Sequence, residues 1–316
     1  MRIVSSTARS KLRHVFIGAN GLRPGWGVLI FISMFMALAL AARVAMHGHM
    51  GFPKGEIAPR VELLLEGIQV AVVLALTAIM GWIEGKPVWA YGLAGPRAAA
   101  HFLWGLLGGA LCLSVLVGVL AAGGYIAFGG LALHGLPRIL GYGLVWLAGF
   151  TLTGVTEEAL FRGYLQTTLA RGIGFWPAAM LLSLLFAVSH LQNGDETLAG
   201  VTQVLAAGLV LCFLLWVSGS LWLSIGFHAA WDWAQSYLYG TPDSGMMMQG
   251  HLLITHAVGD VRLSGGAVGP EGSWLSSPIM IAGALALVWA MWRAGFFAAV
   301  VPASAVPPAG DGTVVC

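Results

Sequence analysis

Charge is what this sequence has least of. Only 9% of its 316 residues are Asp, Glu, Lys or Arg, against roughly 25% in an ordinary soluble domain, which excludes a large extramembrane catalytic domain. The 15 basic and 13 acidic residues leave a net charge of +2 and form no dense basic stripe, so nucleic-acid readout is excluded as well. Cysteine is nearly absent. Cys112, Cys212 and Cys316 are too few and too scattered for a disulfide framework or a cysteine metal knuckle, and the first two read as apolar residues facing lipid or core. The marks of several membrane hydrolases are missing too. There is no H-E-x-x-H zinc helix and no Gly-x-Ser-Gly nucleophile turn, and the apolar runs hold one aspartate, Asp232, which excludes a two-aspartate dyad.

What the chain does have is apolar length. Apolar residues make up 58% of it and the mean hydropathy is +0.85. Runs near 26–46, 63–83, 102–123, 138–161, 176–192, 198–217, 220–239 and 277–299 are each close to the ~20 residues a bilayer-crossing helix needs. Lipid leaves no open backbone group satisfied, and continuous runs are not the alternating segments of a barrel. The fold class predicted is therefore an all-α polytopic membrane protein of about eight transmembrane helices. It divides into a basic cytoplasmic segment at 1–25, a helical membrane domain at 26–299 and a disordered tail at 300–316. The expected location is the cell membrane, multi-pass, with the first helix retained rather than cleaved. Lys and Arg near helix ends, ten on one side against five on the other, put the N-terminus inside.

Ionisable groups inside such spans cost a few kcal/mol each and are default functional candidates. Glu157, Glu158, His190, His228 and Asp232 meet that description. In Glu157-Glu158-Ala-Leu-Phe-Arg162 the i,i+4 spacing sets Glu158 and Arg162 on one face as a neutralising pair, which leaves Glu157 as the unpaired acid. The same spacing puts Phe186 with His190, and His228 with Asp232. A buried ion pair or a lone membrane histidine is ordinarily structural glue. Two acids beside one cation, with two histidines on separate helices, exceed what glue requires, since the second acid keeps its desolvation cost.

The depths also agree in part. Glu157 and His190 lie nearly equal distances either side of a turn at Arg171–Gly174 and can meet across it, whereas His228 is roughly 10 Å shallower unless that hairpin projects further. A glutamate beside a histidine in a dry polar cavity can activate water for attack on an amide. Glu157, His190 and His228 could also hold a divalent metal such as zinc.

The three motifs together, E-E-x-x-x-R at Glu157, Glu158 and Arg162, F-x-x-x-H at Phe186 and His190, and H-x-x-x-N/D at His228 and Asp232, resemble the CPBP intramembrane proteases. That family includes the type II CAAX prenyl endopeptidases and bacterial abortive-infection or bacteriocin-processing relatives. The likeness covers roughly 138–240. It implies an intramembrane endopeptidase acting on a membrane-associated or prenylated peptide or protein, with the bilayer as its other partner. Carried over, Glu157 is the general base, His190 its partner, and His228 with Asp232 the oxyanion pair, while Glu158, Arg162 and Phe186 shape the site. Many members have Asn where this chain has Asp232, and a carboxylate donates a hydrogen bond only when protonated. A non-catalytic immunity or scaffold protein and a proton-coupled carrier are the competing expectations.

Overall fold

The computed structural model describes residues 15–18, 21–45, 56–95, 97–193 and 197–296. The expectations for most of the basic N-terminal segment and for the 300–316 tail fall outside these residues. Among the described residues nine helices carry the membrane domain: α1 (Pro24–Ala45), α2 (Pro59–Glu84), α3 (Ala98–Ala122), α4 (Leu136–Glu157), α5 (Gln166–Ile173), α6 (Phe175–Ser189), α7 (Leu198–Ser218), α8 (Leu221–Trp233) and α9 (Ser276–Arg293). A π-helical stretch, Glu158–Leu165, joins α4 to α5 into one helix of 38 residues. Counted that way, seven helices among the described residues are long and apolar enough to cross a membrane. The all-α multi-pass architecture read from the sequence is observed.

Their outer faces suit lipid. Along α3, Leu103, Leu107, Leu111 and Val115 recur every fourth residue and are all exposed, a stripe that water would not tolerate and hydrocarbon accepts.

The seventh expected span, 220–239, differs from the others. It is α8 followed by a π-turn, Ala234–Leu238, and it is the central helix. Ten of its 13 residues are buried, and α3, α4 and α7 pack around it. It can be short and carry Ser224, His228 and Asp232 because protein, not lipid, surrounds it. Ser220 starts it by accepting a hydrogen bond from the Trp222 amide, the side-chain cap such helix starts prefer. Against α3 the contact is backbone to backbone. A Cβ on Gly226 would lie 2.2 Å from the Phe102 carbonyl oxygen, and one on Gly109 would lie 2.1 Å from that of Phe227. Small residues at membrane helix interfaces permit such approach. Gly226→Ala is therefore expected to push α3 and α8 apart and to destabilise the fold by about 1–3 kcal/mol, as overpacking does. Thermal unfolding in detergent checks this, and an unchanged midpoint would contradict the close contact.

One element was not expected. β3 (Ile126–Leu131), after α3, pairs antiparallel with β4 (Leu253–Ala257) in the long 240–276 connection, and a minimal β1 (Ile17–Gly18) and β2 (Gly21–Leu22) pair precedes α1. The connection thus folds back over one end of the bundle, where Met248 bridges to Ile57 just ahead of α2.

Candidate active site

The sequence determines where this site forms. The widened turn at Glu158–Leu165 belongs to a class of helical irregularity that recurs at functional sites, and it turns Glu158 and Arg162 inward. Both are fully enclosed, 0% and 1% exposed, with Arg162 Nη1 donating to Glu158 Oε1 at 3.0 Å. The guanidinium also lies over the Phe186 ring, 4.5 Å from its centroid. Room for it comes from α7, because a Cβ on Gly208 would stand 3.0 Å from Arg162 Nη2. Arg162 is thus an interior group.

His228 is the hub. Its Nδ1 is 3.1 Å from Glu158 Oε1. Its Nε2 is 3.6 Å from both Glu157 Oε2 and Asp232 Oδ2. Each ring nitrogen therefore faces carboxylate oxygen, an arrangement that a doubly protonated imidazole satisfies. The depth mismatch noted for His228 is resolved by the length of the first hairpin. Ile173 lies 16 residues beyond Glu157 whereas Ser220 lies 8 before His228, so the α5–α6 turn projects about 12 Å further at 1.5 Å per residue.

Two sequence expectations need correction. Glu157 is not unpaired, since His228 stands beside it. Nor does His190 pair with Glu157. Its Nδ1 bonds the Phe186 carbonyl at 2.8 Å, and its ring packs edge-on against Phe186, 4.6 Å between centroids. A carbonyl only accepts, so Nδ1 carries the proton and Nε2 is left as an acceptor. Glu157, His190, His228 and Asp232 nonetheless line one cavity of about 360 Å³, with Phe186 between the two histidines.

The cavity also holds acids that sequence reasoning passed over. Glu62 and Glu66, one turn apart on α2, line it, as do Asp243 and Glu271 of the long connection. Glu66 accepts from Thr156 Oγ1 at 3.0 Å and from Gln69 Nε2 at 2.6 Å, and Glu62 accepts from Thr153 Oγ1 at 3.4 Å. The signal was present as an i,i+4 acid pair. Glu62 stands just ahead of the apolar run that opens at 63, whereas Pro59 in the first turn starts the helix four residues earlier, and Glu66 lies inside that run. Asp243 accepts from Ser236 Oγ at 3.0 Å. Burial, then repulsion from Asp232 and Glu271, raises its carboxyl well above the ordinary carboxylate range.

A divalent metal would need several of these side chains converging on one point. Among the described residues no three His, Cys, Asp or Glu side chains are grouped to hold an ion. His228 Nδ1 is engaged by Glu158 and His190 Nδ1 by a carbonyl. The residues do not fit a metal, and no step below is routed through one.

Residues 139–234 match the family model described as type II CAAX prenyl endopeptidase Rce1-like. The resemblance read from the three motifs is borne out over this stretch, which runs from α4 through α8 and contains Glu157, Glu158, Arg162, Phe186, His190, His228 and Asp232. No curated protein and no solved structure matches the chain.

Proposed function

We propose that this chain is an intramembrane endopeptidase that hydrolyses a membrane-associated peptide, lipid-modified or not, with water activated by Glu157. The observation that carries the reading is the pairing of Glu157 with His228 at 3.6 Å on the wall of a polar cavity, within a stretch that matches an endopeptidase family. Glu157 takes a proton from water, and the water oxygen adds to the peptide carbonyl carbon. His228, held by Glu158 and Asp232, faces the developing oxyanion with an N–H and then supplies a proton to the leaving nitrogen. His190 Nε2, the acceptor on the opposite side of Phe186, orients the water or the peptide N–H. The C–N bond breaks to give a carboxylate and an amine. Asp232 acts here through the His228 ring rather than as an oxyanion donor, which suits a carboxylate at the position where relatives carry Asn.

Since the donor set does not assemble a metal site, exhaustive chelation is expected to leave turnover intact. Loss of activity on chelation, restored by a stoichiometric divalent ion, would contradict this mechanism.

The cavity is lined by the starts of α2 and α9 and the end of α6. Lys86 and Arg171 gather on Glu84 at the opposite end of α2, and Arg97 binds the Gly295 and Phe296 carbonyls beyond the end of α9. If that basic end is cytoplasmic, the cavity opens on the other side. Cys112 and Cys212 are buried, so single surface cysteines can report topology once Cys316 is replaced by Ser. Trp274→Cys, at the cavity end, should be labelled by an impermeant maleimide on intact cells, and Trp89→Cys, at the basic end, only after permeabilisation. The reverse pattern would invert the proposed orientation.

A proton-coupled carrier would also place acids and histidines inside the bundle. The placing of Glu157 beside His228 on the wall of one cavity, at one end of the bundle, favours hydrolysis over a relay across the membrane.

A further inference from the structure

The carboxyl groups of the cavity wall outnumber what the reaction needs. Besides Glu157 and Asp232 it carries Glu62, Glu66, Asp243 and Glu271, and no Lys or Arg lines it among the described residues. The four additional acids come from two elements that the hydrolytic step does not use, α2 and the long connection. Arg162, the nearest interior cation, lies outside the lining and is paired to Glu158. A cleft lined by charge of one sign with low-dielectric walls concentrates its field on whatever enters.

A second observation points to a ligand. Ser276, at the start of α9, is 1% exposed and lines the same cavity, and its Oγ has no hydrogen-bond partner among the described residues. Buried hydroxyls are ordinarily bonded. One left open on the wall of a cavity is completed by a polar group of an entering ligand.

We infer that the Glu62–Glu66 face of the cavity selects peptides bearing a Lys or Arg side chain near the bond to be cut. This rests on the proposed peptide hydrolysis and names its substrate class. The basic side chain lies against α2, where Glu62 and Glu66 already accept from neutral donors, Thr153, Thr156 and Gln69, and have further lone pairs for a cation. A neutral segment gains nothing there, and an acidic one is repelled. The preference is therefore a matter of charge sign rather than shape, and it is separable from Glu157 chemistry because the two acids sit on a different helix.

The test uses the full chain in lipid nanodiscs and two palmitoylated peptides identical except for three adjacent positions, Lys in one and Gln in the other. Binding is measured by fluorescence anisotropy on the Glu157→Gln chain, so that both peptides stay whole, and cleavage on the unaltered chain. The Lys peptide is expected to bind about 10-fold tighter or more, and Glu62→Gln/Glu66→Gln to remove most of that difference while leaving the Gln peptide's affinity unchanged. Equal binding of the two peptides would overturn the inference, as would a preference undiminished in the double variant. If the double variant does not fold, Glu62→Gln alone keeps an acceptor for Thr153 and reports the same loss in part. Preferential binding of the Lys peptide with cleavage of neither would count against the hydrolysis and leave the cation selection standing.

Discussion

Replacing Glu157 by Gln is expected to abolish peptide hydrolysis, a loss of about 10²–10⁴-fold in rate, with the protein still folded and inserted. The substitution keeps the volume and the hydrogen-bonding reach of the side chain and removes only its ability to take a proton. Glu157 tolerates it because the fold does not lean on its charge. It stands 3.6 Å from His228, and that ring keeps Glu158 and Asp232 as carboxylate neighbours. Single-turnover cleavage assays beside thermal unfolding in the same detergent separate the two quantities. Activity within a few-fold of the parent would remove Glu157 from the reaction.

Arg162→Ala is expected to do the opposite, leaving little folded protein to assay. Its charge is enclosed with that of Glu158, at 1% and 0% exposure, and breaking such a pair by removing one partner costs about 3–5 kcal/mol because the other charge is left uncompensated. The stacking of the guanidinium over Phe186 is lost with it. Part of the penalty should return in Arg162→Met/Glu158→Gln, which removes both charges and refills the volume, since paired replacement by neutral groups is often tolerated. That double variant should nevertheless be slow as an enzyme, because Glu158 Oε1 also holds His228 Nδ1. A folded, fully stable Arg162→Ala protein would show that the pair is not the anchor described here.

These two residues also mark how far the sequence could be read. The i,i+4 pairs, Glu158 with Arg162 and His228 with Asp232, were legible because helix geometry alone brings them together, and both contacts are found. The contacts that make the site a site are between helices. His228 beside Glu157 depends on α5 carrying the first hairpin past the α7–α8 turn, and on the π-turn that aims Glu158 inward, neither of which has a local signature. Glu62 and Glu66 are visible as residues, but their place in the site depends on packing between helices, and Glu62 falls outside a run that looks apolar from 63 onward although the helix begins at Pro59. The β3–β4 pairing joins Ile126 to Ala257, far too distant in sequence for period or propensity to reveal, and Gly129 and Gly130 in β3 weaken its strand signal. The central helix α8 read as one more membrane span because composition cannot distinguish apolar residues that face lipid from those that face Gly105, Gly109 and the rest of α3.

The most direct measurement of the central claim is mass spectrometry of products formed in H₂¹⁸O by the purified chain in nanodiscs, acting on the Lys peptide described above, beside the Glu157→Gln chain. Direct attack by Glu157-activated water predicts a new peptide C-terminus carrying one ¹⁸O from the first turnover, in the parent only. No new terminus from the parent, an equal yield from Glu157→Gln, or a first-turnover product without ¹⁸O would contradict it.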